Sequence, residues 1–247
     1  MRIVVVNVNT TERITEAIRQ QAMKYASPGT DIEAVTPFFG PSAVEDSFGR
    51  HMSAVAVMDR VVAIKEPYDA IVEAGFGENG REGLQELVAV PVIGITEAAA
   101  NVACLLGRKF SVVTTIDRAA AQIEERLLLD GLRPRCVSIR PTGIGVLDID
   151  RDPEAATVAI IAEAKLAVDV DKADVICLGC AGMVDLQERV AKAVSVPVVD
   201  GVAAAVKLAE ALYGLGLRPF VENPGERLRP GTIGWPLHRF LPPFPPE

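Results

Sequence analysis

The stretch VPVIGITEAAANVA, Val90–Ala103, returns 106 residues later as VPVVDGVAAAVKLA, Val196–Ala209. Upstream the likeness continues, with IVEAGFG (Ile71–Gly77) matching ICLGCAG (Ile176–Gly182) at a separation of 105. RIVVVN (Arg2–Asn7) has a looser partner in FSVVTT (Phe110–Thr115). Three segments recurring in one order at nearly one spacing describe a duplicated α/β unit, whereas a solenoid needs three or more shorter repeats.

Around these segments, short apolar runs alternate with longer stretches of helical period, the pattern of strands joined by crossover helices. Strands are expected at Ile3–Asn7, Asp31–Val35, Ala70–Ala74 and Pro91–Ile95, then at Ser111–Thr115, Cys136–Ile139, Val175–Gly179 and Pro197–Asp200. Helices are expected over Thr11–Tyr25, Ala54–Lys65, Arg118–Leu129 and Ala155–Val170, among others. Strands this apolar on both faces belong in parallel sheets covered by helices. The fold expected is therefore α/β, with two pseudo-symmetric lobes, each a short, mostly parallel sheet flanked by helices. Lobe one takes residues 1–97 plus 203–247, and lobe two takes 98–202. Ligand sites favour the cleft between such lobes, at the carboxyl ends of the strands, where helix N-termini present backbone N–H groups. Function is expected just after Asn7, Ala74, Thr115 and Gly179.

Composition narrows the class. The chain has 247 residues, 49% hydrophobic and 23% charged, with 25 Lys and Arg against 33 Asp and Glu, a net charge of −8. An acidic balance argues against a nucleic-acid or anionic-membrane surface. No apolar run is long enough to span a bilayer, and the start of the chain enters a strand directly, without a signal-peptide core. A cytoplasmic protein acting on a small molecule, as a homo-oligomer, is the expectation. From Pro219 onward the chain is proline-rich, suited to lying along a surface or a neighbouring subunit. Trp235 and His238 fall there and carry no assigned role.

Two local motifs invite chemical readings. Gly75–Gly80 reads GFGENG, formally G-x-G-x-x-G after a strand, with Glu97 placed as the distal acid of a dinucleotide fingerprint. Against that, the first βα turn is NVNTTE rather than glycine-rich, and the repeat copy CAGMVD keeps the turn without the glycines. Cys177 and Cys180 form a C-x-x-C without a second pair, and His51 and His238 lie too far off to complete a zinc site. On an extended strand they point to opposite faces. Cys177 therefore reads as core, and Cys180 as a thiol emerging where a helix begins, a setting that activates sulfur. Cys104 and Cys136 read as core. Asp148, Asp150 and Asp152 lack the glycine and distal glutamate of a calcium loop and read as caps for a helix starting near Pro153. No metal and no cofactor are expected.

VVVNVNT at the first turn, GPSAVEDSF (Gly40–Phe48), AGFGENG, VTT (Val113–Thr115) and LGCAGM (Leu178–Met183) together resemble the aspartate/glutamate/hydantoin racemase superfamily, nearest its hydantoin and allantoin branch. The resemblance implies two lobes enclosing the substrate, a cysteine from each flanking the α-carbon, and proton transfer without metal, pyridoxal phosphate or nucleotide. It also marks two departures. The family's NPNT turn is Asn7-Val8-Asn9-Thr10 here, and its first cysteine, expected in A-C-F-G, is Gly75. Cys180 matches the second cysteine. Glu78, three residues past Gly75, is one candidate substitute base, though it also suits the following helix N-terminus, and water held by Asn9 or Thr115 is another candidate. A small anionic or imide-like ligand is expected to meet Asn9, the turn Gly75-Phe76-Gly77, Thr114 and Thr115, with the amides of Ala181 and Gly182 as an oxyanion hole. The expected function is a cofactor-independent racemase of the hydantoin type with Cys180 as acid and base. The alternatives are a one-thiol decarboxylase like arylmalonate decarboxylase, which shares the glycine-for-cysteine pattern, and a non-catalytic binder of a small molecule or dinucleotide.

Overall fold

A computed structural model describes residues 1–220. The first half of the chain forms β1 (Arg2–Val6), α1 (Glu12–Tyr25), β2 (Asp31–Val35), α2 (Ser47–Val62), β3 (Ala70–Glu73), α3 (Arg81–Leu87), β4 (Val92–Gly94) and α4 (Ile95–Leu106). The second half forms β5 (Phe110–Thr114), α5 (Asp117–Leu129), β6 (Cys136–Pro141), α6 (Asp148–Arg151), α7 (Pro153–Asp169), β7 (Val175–Leu178), α8 (Gln187–Ala193), β8 (Val198–Asp200) and α9 (Gly201–Gly214). The strands make two four-stranded parallel sheets, ordered β2-β1-β3-β4 and β6-β5-β7-β8. One order repeated is the three-dimensional form of the sequence repeat. The central strands are buried on both faces, as the unbroken runs Val4-Val5-Val6 and Ile176-Cys177-Leu178 require.

The two copies of the deciding repeat are β4 with α4 and β8 with α9. These helices pack on each other, and each also touches strands of both sheets. The buried positions of the two helices are rich in alanine, including Ala98, Ala99, Ala103, Ala205 and Ala209. Small side chains let the two backbones approach. The approach is close at Gly201, where a Cβ would lie 2.7 Å from the carbonyl oxygen of Ile95, so a side chain there would push the helices apart.

Most boundaries differ from expectation by one or two residues, and α2 differs by more. Helix α2 starts at Ser47, not Ala54, because Asp46 caps it, accepting the Gly49 N–H at 2.6 Å. Its first turns leave Phe48 and His51 exposed, so no apolar period announces them. Ile95 belongs to α4 rather than to the preceding strand. Asp152 does cap α7, accepting the Ala155 N–H at 3.0 Å. Trp235, His238 and nearly all of the proline-rich tail lie outside the described residues. Among the described residues no helix is long and apolar enough to cross a membrane, and no group of acidic, histidine or cysteine side chains is placed to hold a metal ion.

Candidate active site

The residues following β1, β3, β5 and β7 all line one cavity of about 50 Å³. Parallel strands of two sheets thus end on a common space, where the repeat placed it. Its rim joins the sheets. Val44 and Val146 line it from opposite halves, and between them the Val146 N–H donates to Glu45 Oε1 at 2.8 Å.

On the second-sheet side, Cys180 follows β7 and caps a 3₁₀ turn over Ala181–Leu186, its sulfur accepting the Gly182 N–H at 3.3 Å. That N–H aims its positive end at the sulfur and favours negative charge there. The Gly182 amide is therefore committed to the thiol, which removes it from the expected oxyanion hole. Cys180, Ala181, Gly182 and Thr115 line the cavity. Thr114 does not, because its hydroxyl donates to the Gly179 carbonyl at 2.9 Å and braces the turn from behind. The other thiols differ in kind. Burial pushes Cys136 up to about 11 and Cys177 well above the usual thiol range, while Cys104 is half-buried rather than core.

On the first-sheet side, Asn7 anchors the turn. Its Nδ2 donates to Asn9 Oδ1 at 3.1 Å and Thr15 Oγ1 at 2.9 Å, and its oxygen accepts the Asn9 N–H at 3.3 Å. Asn9 Oδ1 also accepts the Thr11 N–H at 2.9 Å. Asn9, Gly75 and Phe76 line the cavity. A Cβ on Gly75 would lie 2.5 Å from Val8 Cγ1 and 2.8 Å from Glu73 Oε1, so the branched valine and a buried carboxyl occupy the room a side chain there would need. Gly77 is not in the wall, and its N–H donates to Thr96 Oγ1 at 2.8 Å. The Glu78 N–H goes to the Gly75 carbonyl at 3.0 Å and the Asn79 N–H to Glu73 Oε1 at 2.9 Å. Three amides of the G-x-G-x-x-G turn are thus spent within the protein, beside a buried acid, an arrangement unsuited to cradling a pyrophosphate.

Glu78 sits in a left-handed conformation, φ 54, uncommon for a residue with a side chain. Its carboxylate does not line the cavity. Oε1 accepts the Glu97 N–H at 2.9 Å, while Oε2 pairs with Arg81 Nε at 3.1 Å and Arg126 Nε at 3.2 Å. Arg81 also reaches Glu97 and Asp130, and Arg126 reaches Glu82 and Asp130, so the network ties α3 to α5 behind the site. Burial lifts the Glu78 carboxyl to about 7 against the pull of the arginines. Glu73 lies deeper. Burial, then the neighbouring Glu78, hold its carboxyl well above the usual range.

No lining side chain of the cavity, among the described residues, is Lys, Arg, His, Asp or Glu. Its polar lining is carboxamide, hydroxyl and thiol: Asn7, Asn9, Asn79, Gln122, Thr115 and Cys180. Sequence reasoning missed Val8, Asn79, Gln122 and Glu73. Glu73 had a visible signal, an acid inside the apolar run IVEA; Gln122 had none, since it arrives from α5 of the other half.

The model of the Asp/Glu/Hydantoin racemase family matches residues 3–209. The chain belongs to that family. It is 39% identical to a hydantoin racemase of Pseudomonas sp. (strain NS671) over 217 residues, 87% of each chain. Among solved structures, the allantoin racemase of Pseudomonas fluorescens is similar with 57% identity and a TM-score of 0.87, over 88% of this chain and 92% of that one. The allantoin racemase of Klebsiella pneumoniae is similar with 33% identity and the same TM-score of 0.87, over 94% and 98%.

Proposed function

We propose that this family member racemises a cyclic ureide, allantoin or a 5-substituted hydantoin, by proton exchange at the ring carbon that bears the substituent. The observation that carries this reading is the uncharged wall of the cavity. A free amino acid brings a carboxylate and an ammonium that demand buried partners, and a wall without charge leaves both unpaired. A ureide is neutral and alternates N–H with C=O, which suits a lining of carboxamides. Allantoin ranks first because the likeness to the Pseudomonas fluorescens structure is the greater of those above.

In this mechanism Cys180 works on one face of the carbon. As thiolate it takes the proton, the electron pair spreads into the adjacent carbonyl as an enolate, and an acid on the opposite face returns a proton to carbon. For the other enantiomer the steps run in reverse, with the thiol as donor. Gly75, standing where the resemblance puts the family's first cysteine, supplies nothing. The opposite acid and base is Glu78, whose carboxyl burial lifts to about 7 while it rests against Arg81 and Arg126. To reach the substrate its side chain turns from the Arg81–Arg126 pair toward the cavity flank at Phe76 and Asn79. Asn9, Thr115 and the Ala181 amide hold the ring and its developing oxyanion.

The test is incubation with enantiopure allantoin and 5-substituted hydantoins in D₂O, following α-proton exchange by NMR together with optical rotation. Exchange matched by loss of rotation is expected. Exchange with retained rotation means a one-face reaction through Cys180. Turnover of an arylmalonate without exchange on any ureide selects the decarboxylase.

A further inference from the structure

Four side chains of the cavity wall are carboxamides, and their hydrogen bonds are not equally spent. Asn7 uses both ends of its amide within the first turn, and the Asn9 oxygen accepts twice. Asn79 differs. It is 4% exposed, it lines the cavity, and its Oδ1 is buried without a hydrogen-bond partner. Among the described residues no other lining side chain has a buried polar atom left in that state. A buried acceptor is costly to leave unmet, so its pairing by a ligand is worth more than one exposed contact. The backbone is fixed as well, through the Asn79 N–H on Glu73 Oε1 at 2.9 Å. The turn that carries the acceptor is therefore anchored before the ligand arrives, which lowers the cost of binding.

We infer that Asn79 is a specificity-determining residue whose carboxamide accepts a hydrogen bond from a ring N–H of the ureide. The inference rests on the cyclic-ureide reading above and deepens it. A site built to pair an N–H rejects the analogue lacking it far more strongly than an apolar pocket rejects an extra methylene. Asn79 lies in the turn that carries Gly75 and Glu78, close in sequence to the groups assigned to the reacting carbon, so it would distinguish ureides from other compounds with an acidic α-carbon.

The experiment crosses the residue with the ring nitrogen. Wild type, Asn79→Ala and Asn79→Ser are each assayed on a 5-substituted hydantoin and on its 1-methyl and 3-methyl derivatives, with α-proton exchange as readout. On the parent compound, Asn79→Ala is expected to lower kcat/KM by roughly 10- to 100-fold, mainly through KM, as loss of a binding contact does. One of the two N-methyl compounds should cost wild type a similar factor, and cost Asn79→Ala little more, because the contact is already gone. The inference is overturned alone if wild type is active and the residue and ring losses multiply independently at both nitrogens. It is overturned also if Asn79→Ala, folded by its circular dichroism and melting, keeps full activity on the parent compound, whereas activity recovered in Asn79→Ser, whose hydroxyl can still accept, supports it. If wild type exchanges no ureide at all, the cyclic-ureide reading fails first and this inference with it.

Discussion

At the repeat spacing of 105 residues, the turn after β3 and the turn after β7 align position by position: Glu73 with Leu178, Gly75 with Cys180, Glu78 with Met183. The two turns follow the same strand in sheets of the same order. One carries a thiol on an otherwise apolar turn, with Leu178 and Met183 buried. The other has no side chain at the thiol's place, and has two buried carboxyls where its counterpart has leucine and methionine. On the function proposed above, the duplicated scaffold keeps an acid–base turn in both halves without keeping the reactive side chain at the same position. On this reading, acid–base capacity in the first turn has moved from position 75 to a neighbour, and a buried arginine pair holds that neighbour's charge.

The comparison breaks most completely at Cys180. Cys180→Ala is expected to lower kcat/KM by about 10²–10⁴-fold. The loss must be equal for both enantiomers, since a racemisation has an equilibrium constant of one and the ratio of the two kcat/KM values is tied to it. A variant that exchanges α-protons at the wild-type rate would mean that the thiol turn is scaffold only.

Next comes the carboxyl turn. Glu78→Gln keeps the size of the side chain and removes its proton transfer, with an expected loss of about 10²–10³-fold. A readout other than rate separates chemistry from scaffolding. The pH profile of kcat/KM should be a bell, the same for both enantiomers, with one ionisation near the value of about 7 that burial imposes on Glu78. Glu78→Gln should erase that ionisation. A variant that melts earlier but keeps the limb near pH 7 would make Glu78 a mere partner for Arg81 and Arg126.

A smaller effect is expected from restoring the side chain at position 75. Gly75→Cys looks like a repair in sequence, yet its Cβ would meet Val8 at 2.5 Å and Glu73 at 2.8 Å. Overpacking of this kind costs roughly 1–3 kcal/mol, so the single variant should melt earlier without gaining rate. Val8→Ala in the same chain should recover part of the loss, and the coupling measured by a double-mutant cycle shows whether residues 8 and 75 changed together. A stable Gly75→Cys chain of raised activity would mean that Val8 moves aside freely.

How much of this was legible is itself a physical question. The two parallel sheets and the place of the cavity follow from hydrophobic period and repeat spacing, which local chain physics writes directly into sequence, whereas the strand order within each sheet does not. Cys180 was legible as a residue of the cavity wall because a thiol that follows an apolar strand emerges where the next helical turn begins. Val8 against Gly75 was not, because a close approach depends on where two turns from different strands meet. Glu78 was found as a residue but not as a geometry, since its orientation is set by Arg81 and by Arg126 on α5, more than forty positions away in sequence. The amides of Gly77 and Gly182 look available in sequence and are taken in the structure, by Thr96 and by Cys180 itself.

The smallest expected effect tests the burial of acid in the first turn through stability rather than rate. Glu73 is fully buried, with Oε1 on the Asn79 N–H and Oε2 without a partner. Burial is the main reason its carboxyl stays protonated far above the ordinary range. The folded chain then holds this proton more tightly than the unfolded chain. Stability from this group is complete below an unfolded carboxyl's value, about 4.3, and is lost as pH rises from there toward the folded value. Glutamine is close in shape to a protonated glutamate and cannot ionise. Glu73→Gln should therefore match wild type near pH 4 and grow relatively more stable with rising pH, by up to about 1 kcal/mol between pH 5 and pH 6. Denaturant melts at several pH values measure the gap. A gap that stays constant with pH would show that Glu73 ionises as readily as in the unfolded chain. The same substitution at Glu78 would add the catalytic loss described above, so the two carboxyls of one turn separate by their readouts: Glu73 in stability against pH, Glu78 in rate.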